Sequence, residues 1–174
     1  KAWWKKFVQE SPYNVGLDSA ILMNPQVWTA SGHVVNFNDP LIDCKSCKMR
    51  YRADKLIEDF NAERGVSVQV DGMTNEKLTE YIKENGVCCP NCGKSEFTDI
   101  RKFNMMFKMT VGPVADDEHI AYLRPETAQG IFTNYKNVVD TIYPNIPFGI
   151  AQQGKAFRNE ISPRDYILRD RECS

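Results

Sequence analysis

The sequence predicts an α+β fold in which an antiparallel β-sheet is flanked by helices. Segments of strand period and of helical period follow one another in mixed order, without a regular β–α alternation. Hydrophobic residues make up 42% of the 174-residue chain, enough for a packed core. Basic and acidic residues nearly cancel, 22 against 23, for a net charge of −1. That balance excludes a generally basic nucleic-acid binder, so any anion site must be local. No apolar run reaches membrane-spanning length, and no stretch of the sequence reads as a signal peptide. The first residue is Lys1 rather than a methionine, and the chain reads as a piece of a longer protein.

The elements follow in order. In "AWWKKFV", Trp3, Trp4, Phe7 and Val8 recur at helical spacing. Gly16 to Asn36 carries a strand-like apolar run, interrupted by Pro25. "RADKLIEDFNAERG" predicts a helix stopped by Gly65. "VSVQV" alternates at Val66, Val68 and Val70 and predicts a strand. "TNEKLTEYIKENG" predicts a helix capped by Thr74 and ended by Gly86. Phe103, Met105, Phe107, Met109 and Val111 alternate as one face of a single strand. Ala128, Ile131, Phe132, Tyr135, Val138, Val139 and Ile142 form the stripe of a long amphipathic helix, ended by Pro144. "FGIAQQGKAFRNE" and "YILRDREC" predict two strands joined by a Ser-Pro turn.

Five of the six cysteines fall between Cys44 and Cys92. Cys44-Lys-Ser-Cys47 and Cys89-Pro-Asn-Cys92-Gly93 are two Cys-x-x-Cys turns, the second with the small residues of a zinc knuckle. Each such turn aims two sulfurs at one point, so together they supply the four thiolates of a tetrahedral structural zinc. Buried free thiols are the plainer alternative. Cys88 is out of phase with its turn and is left out of the set. Thiolate zinc fits a reducing compartment. Residues 48–88, between the pairs, must hold structure of their own.

A second concentration of chemistry lies at the end of the chain, where Lys155, Arg158, Arg164, Arg169 and Arg171 crowd a predicted hairpin. On two antiparallel strands, Arg158 and Glu160 share a face, as do Arg169 and Arg171. The planar fork of arginine suits phosphate or carboxylate. A neighbouring carboxylate can orient it, accept from an amine or help hold a magnesium ion. A solvated hairpin with cross-strand ion pairs explains the same pattern equally well. A GxxxxGK[ST] phosphate loop is absent, which argues against a P-loop nucleotide site.

Longer blocks carry a resemblance. "FRNEISPR" followed by "LRDRE" resembles motif 2 of the class II aminoacyl-tRNA synthetases. "LRPETAQGIF", "ASGHVVNFNDPLIDCKSCKMRYRAD" and "FNMMF" are similar to the glycyl-tRNA synthetases of the homodimeric α2 type, and Val15 to Pro25 looks like motif 1, the dimer-forming segment. The resemblance implies a partial class II catalytic core with a zinc-binding insertion: residues 1–43 as the motif 1 region and start of the core, 44–100 as the insertion, and 101–174 as core with "RPETAQG" and motif 2. It implies that the parent protein activates glycine with ATP and magnesium and transfers it to tRNA-Gly, in the cytoplasm, as a homodimer without a membrane segment.

Site residues carry over by position. Arg158 is similar to the motif 2 arginine that clamps the ATP α-phosphate and the glycine carboxylate, the expected catalytic residue. Asn159 and Glu160 complete an ATP-contacting triplet. The segment Leu168, Arg169, Asp170, Arg171, Glu172 and Cys173 resembles the returning strand that holds ATP. Glu126 looks like the carboxylate that grips the glycine ammonium group. It can equally serve as a helix-start glutamate after Pro125 at the first helical position. Arg52 looks like a further glycine-contacting arginine, with Arg50 the less favoured neighbour; a surface helix residue is the alternative. Where the family has an aromatic residue to stack on adenine, this chain has Cys173, which lacks a π face. Motif 3 and an anticodon-binding domain lie outside the stretch, so it is not expected to complete the reaction alone. A catalytically inactive, dimeric, nucleic-acid-binding relative is the alternative function. A plain zinc-ribbon module would explain the cysteines but neither "RPETAQG" nor "FRNE".

Overall fold

A computed structural model describes residues 1–113, 119–163 and 169–173. The helices are α1 (Ala2–Trp4, continuing as a π-helical turn over Lys5–Gln9), α2 (Pro25–Ala30), α3 (His33–Asn36), α4 (Ala53–Ala62), α5 (Asn75–Glu84) and α6 (Ala128–Ile142). The strands are β1 (Asn14–Leu17), β2 (Leu22–Met23), β3 (Asn38–Asp43), β4 (Arg50–Arg52), β5 (Arg101–Asn104), β6 (Lys108–Thr110), β7 (Ile120–Leu123), β8 (Gly149–Gln152), β9 (Ala156–Phe157) and β10 (Glu172–Cys173). The chain divides into two compact units. Among the described residues the structure is mixed α/β, with small sheets that are antiparallel apart from one parallel pair.

One unit comprises Lys1–Val34, Met106–Asn159 and the segment from Asp170. Here β1 runs parallel to β8, from Asn14 opposite Gly149 to Leu17 opposite Gln152. α1 lies against this pair, and a Cβ added to Gly16 would stand 2.4 Å from the Trp4 ring. β2, β7 and β6 form an antiparallel sheet. α6 approaches the loop after β1 so closely that a Cβ on Gly130 would lie 2.0 Å from Ser19 Oγ. The helix ends at Tyr143, which takes the left-handed conformation just before Pro144. Its predicted apolar stripe is only partly used: Val138 is buried, while Phe132 is 73% exposed.

The other unit comprises Val35–Met105 and Glu160–Arg169. An antiparallel sheet in the order β4-β3-β5 supports α4 and α5. The core gathers Ile42 from β3, Ala53, Leu56 and Ile57 from α4, Leu78 and Ile82 from α5, and Val70 and Val87 from the flanking loops. Thr74 caps α5 by accepting from the Lys77 amide. Gly65 and Gly86 take positive φ after α4 and α5, as helix-stopping glycines do.

The strand-like run after Gly16 ends with β2 at Met23; Asn24 then caps α2 at Pro25, and α3 follows. Three expectations are corrected. Val66 to Val70 forms no strand: Val70 packs into the core, but this segment joins no sheet. The alternation from Phe103 to Val111 spans two strands in different sheets, because Met105 and Met106 turn inward between β5 and β6. Finally, the charged hairpin pairs over only two residues per strand among the described residues, Phe157 opposite Glu172 and Ala156 opposite Cys173.

Candidate functional site

The four predicted ligand cysteines converge. The sulfurs of Cys44, Cys47, Cys89 and Cys92 all lie within 4.8 Å of one another. Cys44 Sγ is 3.6 Å from Cys92 Sγ, and Cys47 Sγ is 3.6 Å from Cys89 Sγ, far beyond a disulfide bond. Two matching turns build this. The Lys48 amide donates to the Cys44 carbonyl at 3.0 Å, and the Gly93 amide donates to that of Cys89 at 2.8 Å. Lys48 and Gly93 both take positive φ, at 63° and 72°; glycine does so freely, lysine at some cost. Burial pushes the Cys89 thiol up, but the Tyr51 hydroxyl at 3.3 Å and the amides of Cys92 and Asn91 outweigh it and hold it at about 6. The set fits a metal ion by donor chemistry and by geometry. Cys88 is exposed and outside the cluster, its thiol donating to the Gly86 carbonyl.

In the same unit, Arg52 sits where β4 passes into α4. Its Nε donates to Asp54 Oδ1 at 3.1 Å and one terminal nitrogen to Oδ2 at 2.6 Å. The other lies 3.1 Å from Asp39 Oδ2, an ion pair by distance in which the oxygen receives no aligned hydrogen bond. Of arginine's five N–H donors, two are thus bonded to Asp54. Hydrogen bonding to Asp54 raises the guanidinium above its usual range. Asp54 falls below its ordinary value because Arg52 outweighs burial, whereas at Asp39 burial wins and the carboxyl rises. Glu160, buried, adds a third carboxylate to the field acting on Arg52. A neighbourhood of three carboxylates around one arginine favours a cationic group over another anion. Arg50, exposed, pairs with Asp43 at 3.6 Å instead.

In the other unit, the Arg158 amide donates to the Arg171 carbonyl at 3.0 Å and extends the β9–β10 ladder. Asn159 is half-buried beside it, Arg171 is exposed, and Glu172 pairs with Lys155 at 2.5 Å. Arg169 takes φ of 56°, so it does not share an extended face with Arg171. Cys173 is exposed, its thiol 3.6 Å from the Ala156 carbonyl, and Leu168 lies outside the described residues. Glu126 precedes the helix, and Pro125 lies outside it rather than at its first position, because α6 begins at Ala128. Its Oε1 accepts from Gln129 Nε2 at 2.7 Å and lies 3.4 Å from His33 Nε2.

Sequence reasoning missed the residue that ties these segments together. Arg124 is 1% exposed. Its Nε donates to the Lys155 carbonyl at 2.7 Å and a terminal nitrogen donates to the Ser19 carbonyl at 2.9 Å. Its own amide and carbonyl bond to Ile21 and Phe157. Glu126 lies two residues after this knot and Arg158 three residues after Lys155. Arg124 stood inside "LRPETAQG"; a long polar side chain between apolar Leu123 and Pro125 was the available signal. Asp39 and His33 gave no local signal, since their partners are distant in sequence.

Residues 39–73 match the family model described as glycyl-tRNA synthetase insertion domain 1. The chain is 64% identical over 172 residues to the glycine–tRNA ligase of Ruminiclostridium cellulolyticum, covering 99% of this chain and 37% of that ligase. The same figures hold for the ligase of Acetivibrio thermocellus, and identity is 61% to that of Caldanaerobacter subterraneus subsp. tengcongensis with equal coverage. Along 99% of its length the chain is therefore similar to glycine–tRNA ligases, and it spans 37% of the length of these curated relatives.

Proposed function

We propose that the chain is part of the catalytic domain of a class II, homodimeric glycine–tRNA ligase. The observation that supports this reading is the 61–64% identity to glycine–tRNA ligases along 99% of the chain. In the proposed reaction an oxygen of the glycine carboxylate attacks the α-phosphorus of ATP and pyrophosphate leaves. A hydroxyl at the 3′ end of tRNA-Gly then attacks the adenylate carbonyl and AMP leaves. The carboxylate is already a nucleophile, so the protein's task is positioning and charge stabilisation.

Arg158 would stabilise the charge that builds on the α-phosphate, and Glu126 would receive the glycine ammonium group. Asn159, Glu160 and the segment 168–173 would contact ATP, whose phosphates bring magnesium. Arg52 would contact glycine, and its donor-only fork suits the carboxylate end. Residues 44–100 would form an insertion in a core made of 1–43 and 101–174. Zinc would occupy the four cysteines and serve structure alone, since four thiolates leave no open position. Among the described residues no helix is long and apolar enough to cross a membrane, and cytoplasmic location completes the proposal.

Glycine-dependent ATP–pyrophosphate exchange and tRNA charging by the full-length protein test it. Absence of both activities would favour the inactive nucleic-acid-binding alternative. Sedimentation at micromolar concentration tests the dimer: the segment to Pro25 leaves Trp3 and Phe7 exposed, and a monomer would count against the motif 1 assignment.

A further inference from the structure

We propose that His33 is a positioning residue that holds the Glu126 carboxylate ready for a primary ammonium group. This rests on the reading of Glu126 as the group that receives glycine. The His33 ring stands edge-on to the buried Trp28, with centroids 5.4 Å apart and planes at 76°. Nδ1 lies 2.9 Å from Ser31 Oγ and Nε2 lies 3.4 Å from Glu126 Oε1. With the Ser31 hydroxyl donating to Nδ1, the ring carries its proton on Nε2 and directs it at the carboxylate. The competing acceptor for that hydroxyl, the Trp28 carbonyl, is farther away at 3.3 Å.

Gln129 Nε2 donates to the same Oε1 at 2.7 Å. One hydrogen bond from Gln129 and the His33 ring at ion-pair distance from the same oxygen restrain the rotation of the carboxylate and leave Oε2 to meet the ammonium group. The fixing matters because the Glu126 side chain is 42% exposed and would otherwise exchange rotamers freely, whereas that of His33 is only 14% exposed and its ring packs beside Trp28. If His33 merely filled space beside Trp28, any flat ring would serve.

The test is glycine-dependent ATP–pyrophosphate exchange by the full-length protein, with glycine and ATP varied separately. His33→Phe keeps the ring and removes both nitrogens. It should raise KM for glycine roughly tenfold, the scale of one hydrogen bond to a charged group, and leave KM for ATP within about twofold. His33→Gln, which restores a donor near Nε2, should recover most of the loss. Should the phenylalanine variant fail to fold, Ser31→Ala decides, since Ser31 is exposed and its loss frees Nδ1; about a threefold rise in glycine KM is expected. An unchanged glycine KM, or equal rises for glycine and ATP, overturns the proposal. Glu126→Gln separates the two levels. If it raises glycine KM while His33→Phe does not, positioning alone falls. If it changes nothing, the glycine reading of Glu126 falls and takes the positioning role with it.

Discussion

Replacing Cys89 by serine should empty the four-sulfur site. A tetrahedral zinc with bonds of about 2.3 Å places its sulfurs about 3.8 Å apart. Two of the sulfur pairs already stand at 3.6 Å and none is beyond 4.8 Å, so the ion needs only small shifts. Structural zinc sites bind with about 10–16 kcal/mol, so one ligand in four is worth on the order of 3 kcal/mol, or about a hundredfold in affinity. Dialysis of the full-length protein against a competing chelator, followed by elemental analysis, reads the difference. The parent protein and Cys88→Ser should keep one zinc per chain, and Cys89→Ser close to none. Hydrogen exchange should quicken around residues 44–49 and 88–97. α4 and α5 should stay protected, because their shared apolar core does not depend on the sulfurs. Full zinc in Cys89→Ser, or none in the parent, would refute the argument.

Other outcomes are expected from the rest of the chain. Arg158→Lys keeps the charge but loses the fork, and should cut exchange by roughly 10²-fold with little change in melting temperature; unaltered exchange would mean a solvated hairpin. Asp54 is held below its ordinary value of 3.8, so its ionised form stabilises the fold at higher pH, and that contribution is lost as pH falls through the lowered value. Asp54→Asn should therefore flatten the acid side of a melting temperature–pH curve, whereas parallel curves would contradict the pairing with Arg52. Gly154→Ala would place a Cβ 2.4 Å from a terminal nitrogen of Arg124, and should cost about 1–3 kcal/mol in denaturant unfolding.

Local chemistry made much of this legible. α4 and α5 followed from their apolar spacing, the Thr74 cap and the two stop glycines. The cysteine cluster followed from two turns that each fix their own sulfurs. What failed was inference about partners. Alternation at Val66, Val68 and Val70 reports which side chains turn inward, and Val70 does, but a strand also needs a neighbour to bond. The run from Phe103 to Val111 kept its rhythm across a break between two sheets. Arg158 and Glu126 were reached through longer blocks of resemblance, because a charge pattern alone cannot separate a cleft from a wet hairpin. His33 and Asp39 were out of reach for another reason: their partners, Glu126 and Arg52, meet them only after folding.

The buried guanidinium of Arg124 also decides where this chain has slack. It fastens main-chain carbonyls of Ser19 and Lys155, while its own backbone is bonded to Ile21 and Phe157. Three stretches of polypeptide are thereby cut to length against one another, and each has lost the freedom to gain or drop a residue. The turn after α6 is the opposite case, with Tyr143 81% and Ile146 86% exposed. A short insertion there only lengthens a surface loop. The same insertion between Gln152 and Phe157 would carry the Lys155 carbonyl out of reach of Arg124. Glu126 and Arg158 are thus spaced by the short stretches that tie each to Arg124, like marks on a gauge, and a change of length in the turn after α6 leaves that spacing unmoved.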